Sequence, residues 1–415
     1  MFTGRVQVTE RRVAVTLWCA GLAVFSVMYA PQGLLTEICR DTGVDASRAS
    51  LLVSAATLGL AVSVLGWAKL ANRFGTSVPL RVAGVGAAVT SVAVPWLPSF
   101  EAMVAGRLVQ GVALGGIPAL VMALPHQFVP AKRAAVLGGS YIAATSLGGL
   151  SGRLLVVPIA EQWGWRTALF LLGCLVAALM AALSVMTPPT PRAARADGQR
   201  HHGHLRDPAM LCLFGIGGLL IGGMVVVFNY LPFRLEERPY LLSPTVISLI
   251  FLAYLAGTVG SRVSGLLTGR AGRRPVLVAA CVLMGVGALI TLAGPLPLIL
   301  TGVVVLTAGL FVGHAVASSM VAERARHARN QAMALYNISY YAGSSVFGFV
   351  GGLAWVHGHW TTVVAFVVAL GVAAGALVGK ATGASRPMGL SRSTRSNRRA
   401  PRRETGAVSR RCRTV

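Results

Sequence analysis

Ala68-Lys69-Leu70-Ala71-Asn72-Arg73-Phe74-Gly75-Thr76-Ser77 returns, altered, as Gly265-Leu266-Leu267-Thr268-Gly269-Arg270-Ala271-Gly272-Arg273-Arg274. Each copy is a short basic turn with a long apolar run on either side. The correspondence continues outward. Leu58 and Leu70 align with Leu255 and Leu267; at a slightly different offset Tyr141, Thr145, Gly148 and Gly152 align with Tyr341, Ser345, Gly348 and Gly352. A second half that repeats the first in the same direction predicts two similar bundles with a binding site between them. Such a pair works by rocking one half over the other.

The bulk composition agrees. Of 415 residues 55% are hydrophobic and 12% charged, with 49 Gly and a mean hydropathy of +0.69. A soluble domain carries about 25% charged residues, so this chain is short of polar surface and has to face lipid. A cytosolic enzyme, a disulfide scaffold and a disordered protein are excluded. The six Cys fall mostly in apolar runs without CxxC spacing, which supports neither a disulfide framework nor a zinc site. No enzymatic activity, cofactor or metal is expected; His201, His202 and His204 read as part of a polar loop.

A bilayer core of ~30 Å takes about 20 apolar residues. The chain offers twelve such runs, near 13–35, 49–70, 79–97, 100–123, 134–158, 166–186, 208–232, 244–267, 275–294, 297–320, 332–355 and 360–379. In lipid each has to be helical to satisfy its own backbone. The first run is too long for a signal peptide and reads as a retained helix. The expected fold is an all-α membrane protein of twelve transmembrane helices in two pseudo-symmetric six-helix bundles. Residues 1–187 form the first bundle, 188–207 a cytoplasmic linker, 208–380 the second bundle and 381–415 a basic, disordered cytoplasmic tail.

Net charge is +25. The bases cluster in alternate loops (Arg5, Arg11 and Arg12; Lys69, Arg73 and Arg81; Lys132 and Arg133; Arg270, Arg273 and Arg274), whereas the intervening loops hold most of the acids. By the positive-inside rule both termini are cytoplasmic. The partners expected are the lipid bilayer and a small-molecule substrate, with protons left open and no nucleic acid; the chain is expected to be a monomer.

The two turns resemble the GxxxDRxGRR loop motif of the major facilitator superfamily, and Arg107-Leu108-Val109-Gln110-Gly111-Val112-Ala113-Leu114-Gly115-Gly116 resembles its RxxQGxxxG motif. The likeness runs from about Val13 to Lys380. Tyr141 to Arg153, and the stretches around His314 and Tyr340, are similar to the bacterial efflux-permease branch of YnfM-type and arabinose-efflux-type proteins. The resemblance implies a bacterial inner-membrane exporter working by alternating access. It implies a gating role for Asn72, Arg73, Gly75, Arg270, Gly272 and Arg273, and an Arg107 that contacts the first helix, lines the central cavity and takes part in proton coupling. Asn72 and Gly269 stand where the motif has its acid, so a weaker gate or a substitute contact is expected. The antiporter motif of span five keeps Gly139, Gly148 and Gly152 but lacks its prolines, which leaves antiport open.

Within the spans lie three bases: Arg107, Arg153 and Arg262. Arg153 and Arg262 sit near span ends, where a long side chain can snorkel. No Asp or Glu lies near the middle of a span, so the deep titratable candidate is His314. A positive cavity without an acid favours an anionic or neutral solute over a multiply charged cation. The superfamily's cavity-lining spans carry Tyr29, Gln32, Gln110, Asn229, Tyr230 and His314 here, with Asn337, Tyr340, Tyr254 and Tyr341 on flanking spans. These are either ligand contacts or interhelical hydrogen bonds. Export of a small organic solute is the leading reading. Proton-coupled uptake of an organic anion and a non-transporting membrane sensor are the alternatives.

Overall fold

The computed structural model describes residues 2–190, 203–325 and 327–383. Among them 11 helices are long and apolar enough to cross a membrane. They are α1 (Phe2–Met28), α2 (Leu51–Phe74), α3 (Ser77–Ala93), α4 (Phe100–Val121), α5 (Ala131–Trp163), α6 (Trp165–Met186), α7 (Pro208–Glu236), α8 (Tyr254–Ala271), α9 (Arg273–Ile290), α10 (Leu296–Arg324) and α11 (Arg329–Gly383). The 55-residue α11 is broken by non-helical backbone at Gly358 and His359, so the expected runs 332–355 and 360–379 form its two arms.

Two boundaries differ from expectation for chemical reasons. The first span was expected to run to residue 35. Instead α1 stops at Met28, a 3-10 turn covers Ala30–Gly33, and a separate helix covers Leu35–Thr42. Pro31 has no N–H to give and breaks the ladder. Likewise the run from 244 opens as a helix at Pro244–Ser248 and a 3-10 turn at Leu249–Ala253 before α8 begins. Of the linker, Gly203–Arg206 is a single helical turn. His201, His202 and the tail from residue 384 lie outside the described residues.

In lipid, helices associate through close packing of small residues, and here the repeat determines which helices meet. Gly148 and Gly152 let α5 lie on the backbone of α1 at Leu22 and Ser26, and Gly343 lets α11 lie on α7 at Gly218. The pair α2 and α4 corresponds in the same way to the pair α8 and α10. Both basic turns end on a left-handed glycine, Gly75 (φ 80) and Gly272 (φ 83). Their N–H groups close the preceding helices onto Ala71 O and Thr268 O. A side chain at such a φ is strained, which explains why both copies keep the glycine. Between the halves, α2 packs along α11, and the segment before α8 packs against α5.

Candidate substrate-binding site

The break in α1 leaves two of its last carbonyls without helical partners. Val27 O faces Pro31, which has no N–H, and the Gln32 N–H bonds Tyr29 O instead of Met28 O. Arg107, from α4, fills both vacancies: Nη1 donates to Val27 O at 3.2 Å and Nη2 to Met28 O at 2.5 Å. Its Nε donates to Leu52 O at 2.6 Å, and Nη1 also bonds Gln110 Oε1. Gln110 in turn donates to Ser91 Oγ at 2.8 Å. Every partner belongs to helices before the linker. Arg107 therefore does contact the first helix, but its guanidinium is turned onto backbone inside the first half. The cavity it lines with Gln110, Pro31 and Trp165 has room for about one water, ≈ 20 Å³.

The same break presents Gln32 across the plane where the halves meet. Gln32 Nε2 donates to Asn229 Oδ1 of α7 at 2.7 Å, and its Oε1 accepts from Arg153 Nε at 2.8 Å. Arg153 was expected to snorkel toward the span end. It does not: the side chain is 1% exposed. Its Nη1 donates to Gly149 O at 2.5 Å and its Nη2 to the Tyr254 hydroxyl of α8 at 3.2 Å. The guanidinium lies over the rings of Tyr29 (4.6 Å), Tyr254 (4.8 Å) and Phe251 (5.2 Å). Snorkelling fails because the glycines of α5 draw it onto α1 and turn this face inward. Three of the five guanidinium N–H donors are used, and among the described residues no carboxylate pairs with Arg153. Asn229 Nδ2, buried against Gly348 of α11, has no hydrogen-bond partner.

The hydrogen bonds that join the halves gather around this point and toward one end of it. Tyr29 and Ser344 share a hydroxyl contact at 3.3 Å, and Ser345 Oγ donates to Ser54 O at 2.8 Å. Farther along, Glu236 of α7 accepts from Thr36 Oγ1 at 2.6 Å and forms an ion pair with Arg40. Glu161 of α5 accepts from the Thr245 amide and hydroxyl. The Tyr230 hydroxyl donates to Gly348 O at 2.7 Å, which ties α7 to α11, and it lies beside Ser47 of the first half at Gly352.

The remaining expected residues fall elsewhere. His314 of α10 has its Nδ1 2.9 Å from the Tyr336 hydroxyl and its ring 4.7 Å from that of Tyr340. Asn337 is exposed on α11. Asn72, Arg73 and Arg270 are exposed at their turns, and Arg262 is exposed within α8. Arg273 forms an ion pair with Glu323 of α10, and Thr76 Oγ1 accepts from Gln127 at 3.1 Å; these contacts bridge helices where the motif's acid is absent. No group of three or more His, Cys, Asp and Glu side chains suited to a metal occurs among the described residues.

Arg153 was thus passed over as a site residue, although a signal was present. The repeat that aligns Gly152 with Gly352 aligns Arg153 with Leu353, placing a charge where the other half has an apolar side chain.

Comparison with known proteins fits this architecture. The Major Facilitator Superfamily profile matches residues 17–241 and 237–411. The chain is 35% identical over 364 residues to the uncharacterized MFS-type transporter YybF of Bacillus subtilis (strain 168), covering 86% of this chain and 90% of that one. It is 34% identical over 362 residues to the inner membrane transport protein YnfM of Escherichia coli (strain K12), covering 86% and 87%. In fold it is similar to a bacterial homolog of the human lysosomal transporter Spinster, crystallised inward-facing and unoccupied. That TM-score is 0.76 at 13% identity, over 90% of this chain and 97% of the other. The profile match spans both halves and the relatives match through most of their length, so the chain belongs to the major facilitator superfamily of membrane transporters.

Proposed function

We propose that this transporter exports a small organic solute, anionic or neutral, across a bacterial inner membrane by alternating access. The observation that carries the reading is Arg153, a guanidinium buried where the halves meet without a carboxylate to balance it. A permanent charge withdrawn from water is costly unless dipoles or a counter-ion face it. An anion admitted when the halves part restores that balance. Arg153, Gln32, Asn229 and Tyr29 are the proposed substrate contacts, with His314 and Tyr340 on the wall beyond. Arg107 and Gln110 serve as a strap within the first half.

In this reading residues 1–187 and 208–380 move as two bodies joined by 188–207, and the arms of α11 are the eleventh and twelfth spans. The base-rich turns at Asn72–Gly75 and Arg270–Arg273 lie on the cytoplasmic side with both termini. The hydrogen-bonded end of the seam then faces outward, and the conformation corresponds to an outward-closed state. A cell interior negative by roughly 150 mV expels a monovalent anion by about 3.5 kcal/mol, at ~2.3 kcal/mol per 100 mV, enough for a few-hundredfold gradient without protons.

Proteoliposomes with an imposed potassium potential test this. Organic-anion efflux that follows the potential and survives a proton uncoupler is expected. Flux that collapses with the uncoupler while the potential is clamped would instead assign proton coupling, with His314 as the titratable group. No flux for any screened solute would remove the transport reading.

A further inference from the structure

We infer that the solute is a flat aromatic monocarboxylate, an anion of the benzoate or cinnamate type. The inference rests on the transport reading above and narrows its substrate class. It begins with the geometry around Arg153. The Arg153 Cζ lies over the rings of Tyr29, Tyr254 and Phe251, 4.6–5.2 Å from their centroids. Two of its five N–H donors remain after Gln32, Gly149 and Tyr254 have taken theirs. An in-plane carboxylate is the group that a free guanidinium edge recognises best.

One carboxylate is the limit. The other deeply buried cation, Arg107, is saturated by three carbonyls and Gln110 within its own half. A dicarboxylate would bring a second charge into the seam with no free cation to meet it, a costly burial.

The body of the solute is indicated by what continues from Arg153. Tyr254 meets Phe311 edge-on, with centroids 5.9 Å apart at 80°. One turn along α10 from Phe311 comes His314, whose ring lies 4.7 Å from Tyr340. Tyr340 stands one turn from Ser344, which closes the path by touching the Tyr29 hydroxyl. Rings in tilted and edge-to-face contact thus lie beside the charge, on a path that returns to it at Tyr29. An aromatic guest extends that pattern, and each well-set ring pair adds to what area burial alone provides. A saturated ring of the same size and charge lacks the quadrupole match. The Tyr340 hydroxyl makes no hydrogen bond among the described residues, so a ring hydroxyl on the solute has a partner.

The test uses the purified full-length chain and compares benzoate with cyclohexanecarboxylate, which share charge and nearly share size. Binding is read by thermal stabilisation across a concentration series. Benzoate is expected to bind about tenfold tighter, and Tyr340→Leu to bring that ratio toward one while both anions still bind. Arg153→Gln should abolish binding of both. Equal affinities in the unaltered chain would overturn the inference and leave anion transport standing. Stabilisation by succinate but not benzoate would overturn it in the same way. If no organic anion shifts the melting temperature, the inference falls, while the transport reading is decided separately by the flux assay.

Discussion

Arg107 and Arg153 are the same residue at similar burial, 4% and 1% exposed, and neither forms an ion pair among the described residues. They differ in whose groups hold them. Arg107 caps carbonyls that Pro31 and the 3-10 turn leave unpaired at the end of α1, where the helix terminus also favours a positive charge. Its partners all come from helices before the linker, so its charge is neutralised by carbonyl and amide dipoles of that half alone. Arg153 takes partners from both halves, and two of them, Gln32 and Tyr254, are polar side chains rather than backbone. Any separation of the halves has to break that set. For a permanent charge in a membrane protein, burial is therefore a poor guide to role, and the rigid body that supplies the partners is a better one.

Exchanging these arginines breaks the comparison most forcefully. Arg153→Gln is expected to cut anion flux about a hundredfold, the equivalent of ~2.7 kcal/mol. The melting temperature should hold or rise, because an uncompensated buried charge has gone. Arg107→Gln is expected to do the reverse. Orphaning Val27 O, Met28 O and Leu52 O costs about 3 kcal/mol or more, so the yield of folded protein drops while flux per folded molecule changes little. Adding Pro31→Ala should recover part of that loss, since residue 31 could then donate to Val27 O. Flux assays and thermal melts on the same preparations check both. Equal stability losses for the two substitutions would erase the distinction.

The seam itself offers a smaller effect. A Cβ on Gly352 would collide with Ser47 Cα and the Tyr230 hydroxyl, so Gly352→Val should wedge the halves apart at their closed end. Thiol labelling of a cysteine placed at Ser345 is expected to speed up about tenfold. Away from the seam, Asp207 at the start of α7 pairs with Arg324 of α10 at 2.5 Å. Burial of Asp207 works against ionisation, but the hydrogen bond and charge of Arg324 outweigh it and hold the carboxyl below its ordinary value. A carboxyl lowered by folding stabilises the protein above its unfolded value and loses that contribution as pH falls through the folded one. Asp207→Asn should cost under about 1 kcal/mol at neutral pH for this partly exposed pair. Melts of the variant and the unaltered chain should converge in acid.

Much of the fold was legible in the sequence because lipid enforces long apolar runs and the internal repeat fixes how they correspond. The two basic turns are helix-ending glycine turns in both copies. The site was less legible. Pro31 signalled a break in α1, yet only the structure shows that the break both creates the carbonyls Arg107 caps and swings Gln32 toward Asn229. Arg153 was misread because position along a helix gives depth and not direction. Its direction is set by Gly148 and Gly152 docking α5 onto α1. Contacts such as Thr36 with Glu236 join side chains 200 residues apart, and no local pattern encodes that.

The central claim is that the seam between the halves opens and closes on every cycle over Arg153. It is tested most directly by placing cysteines at Thr36 and Glu236, whose side-chain oxygens lie 2.6 Å apart, in a chain whose own cysteines are replaced. Oxidation to the cross-linked form is expected to stop flux in proteoliposomes, and reduction to restore it. Undiminished flux from fully cross-linked protein would contradict the claim.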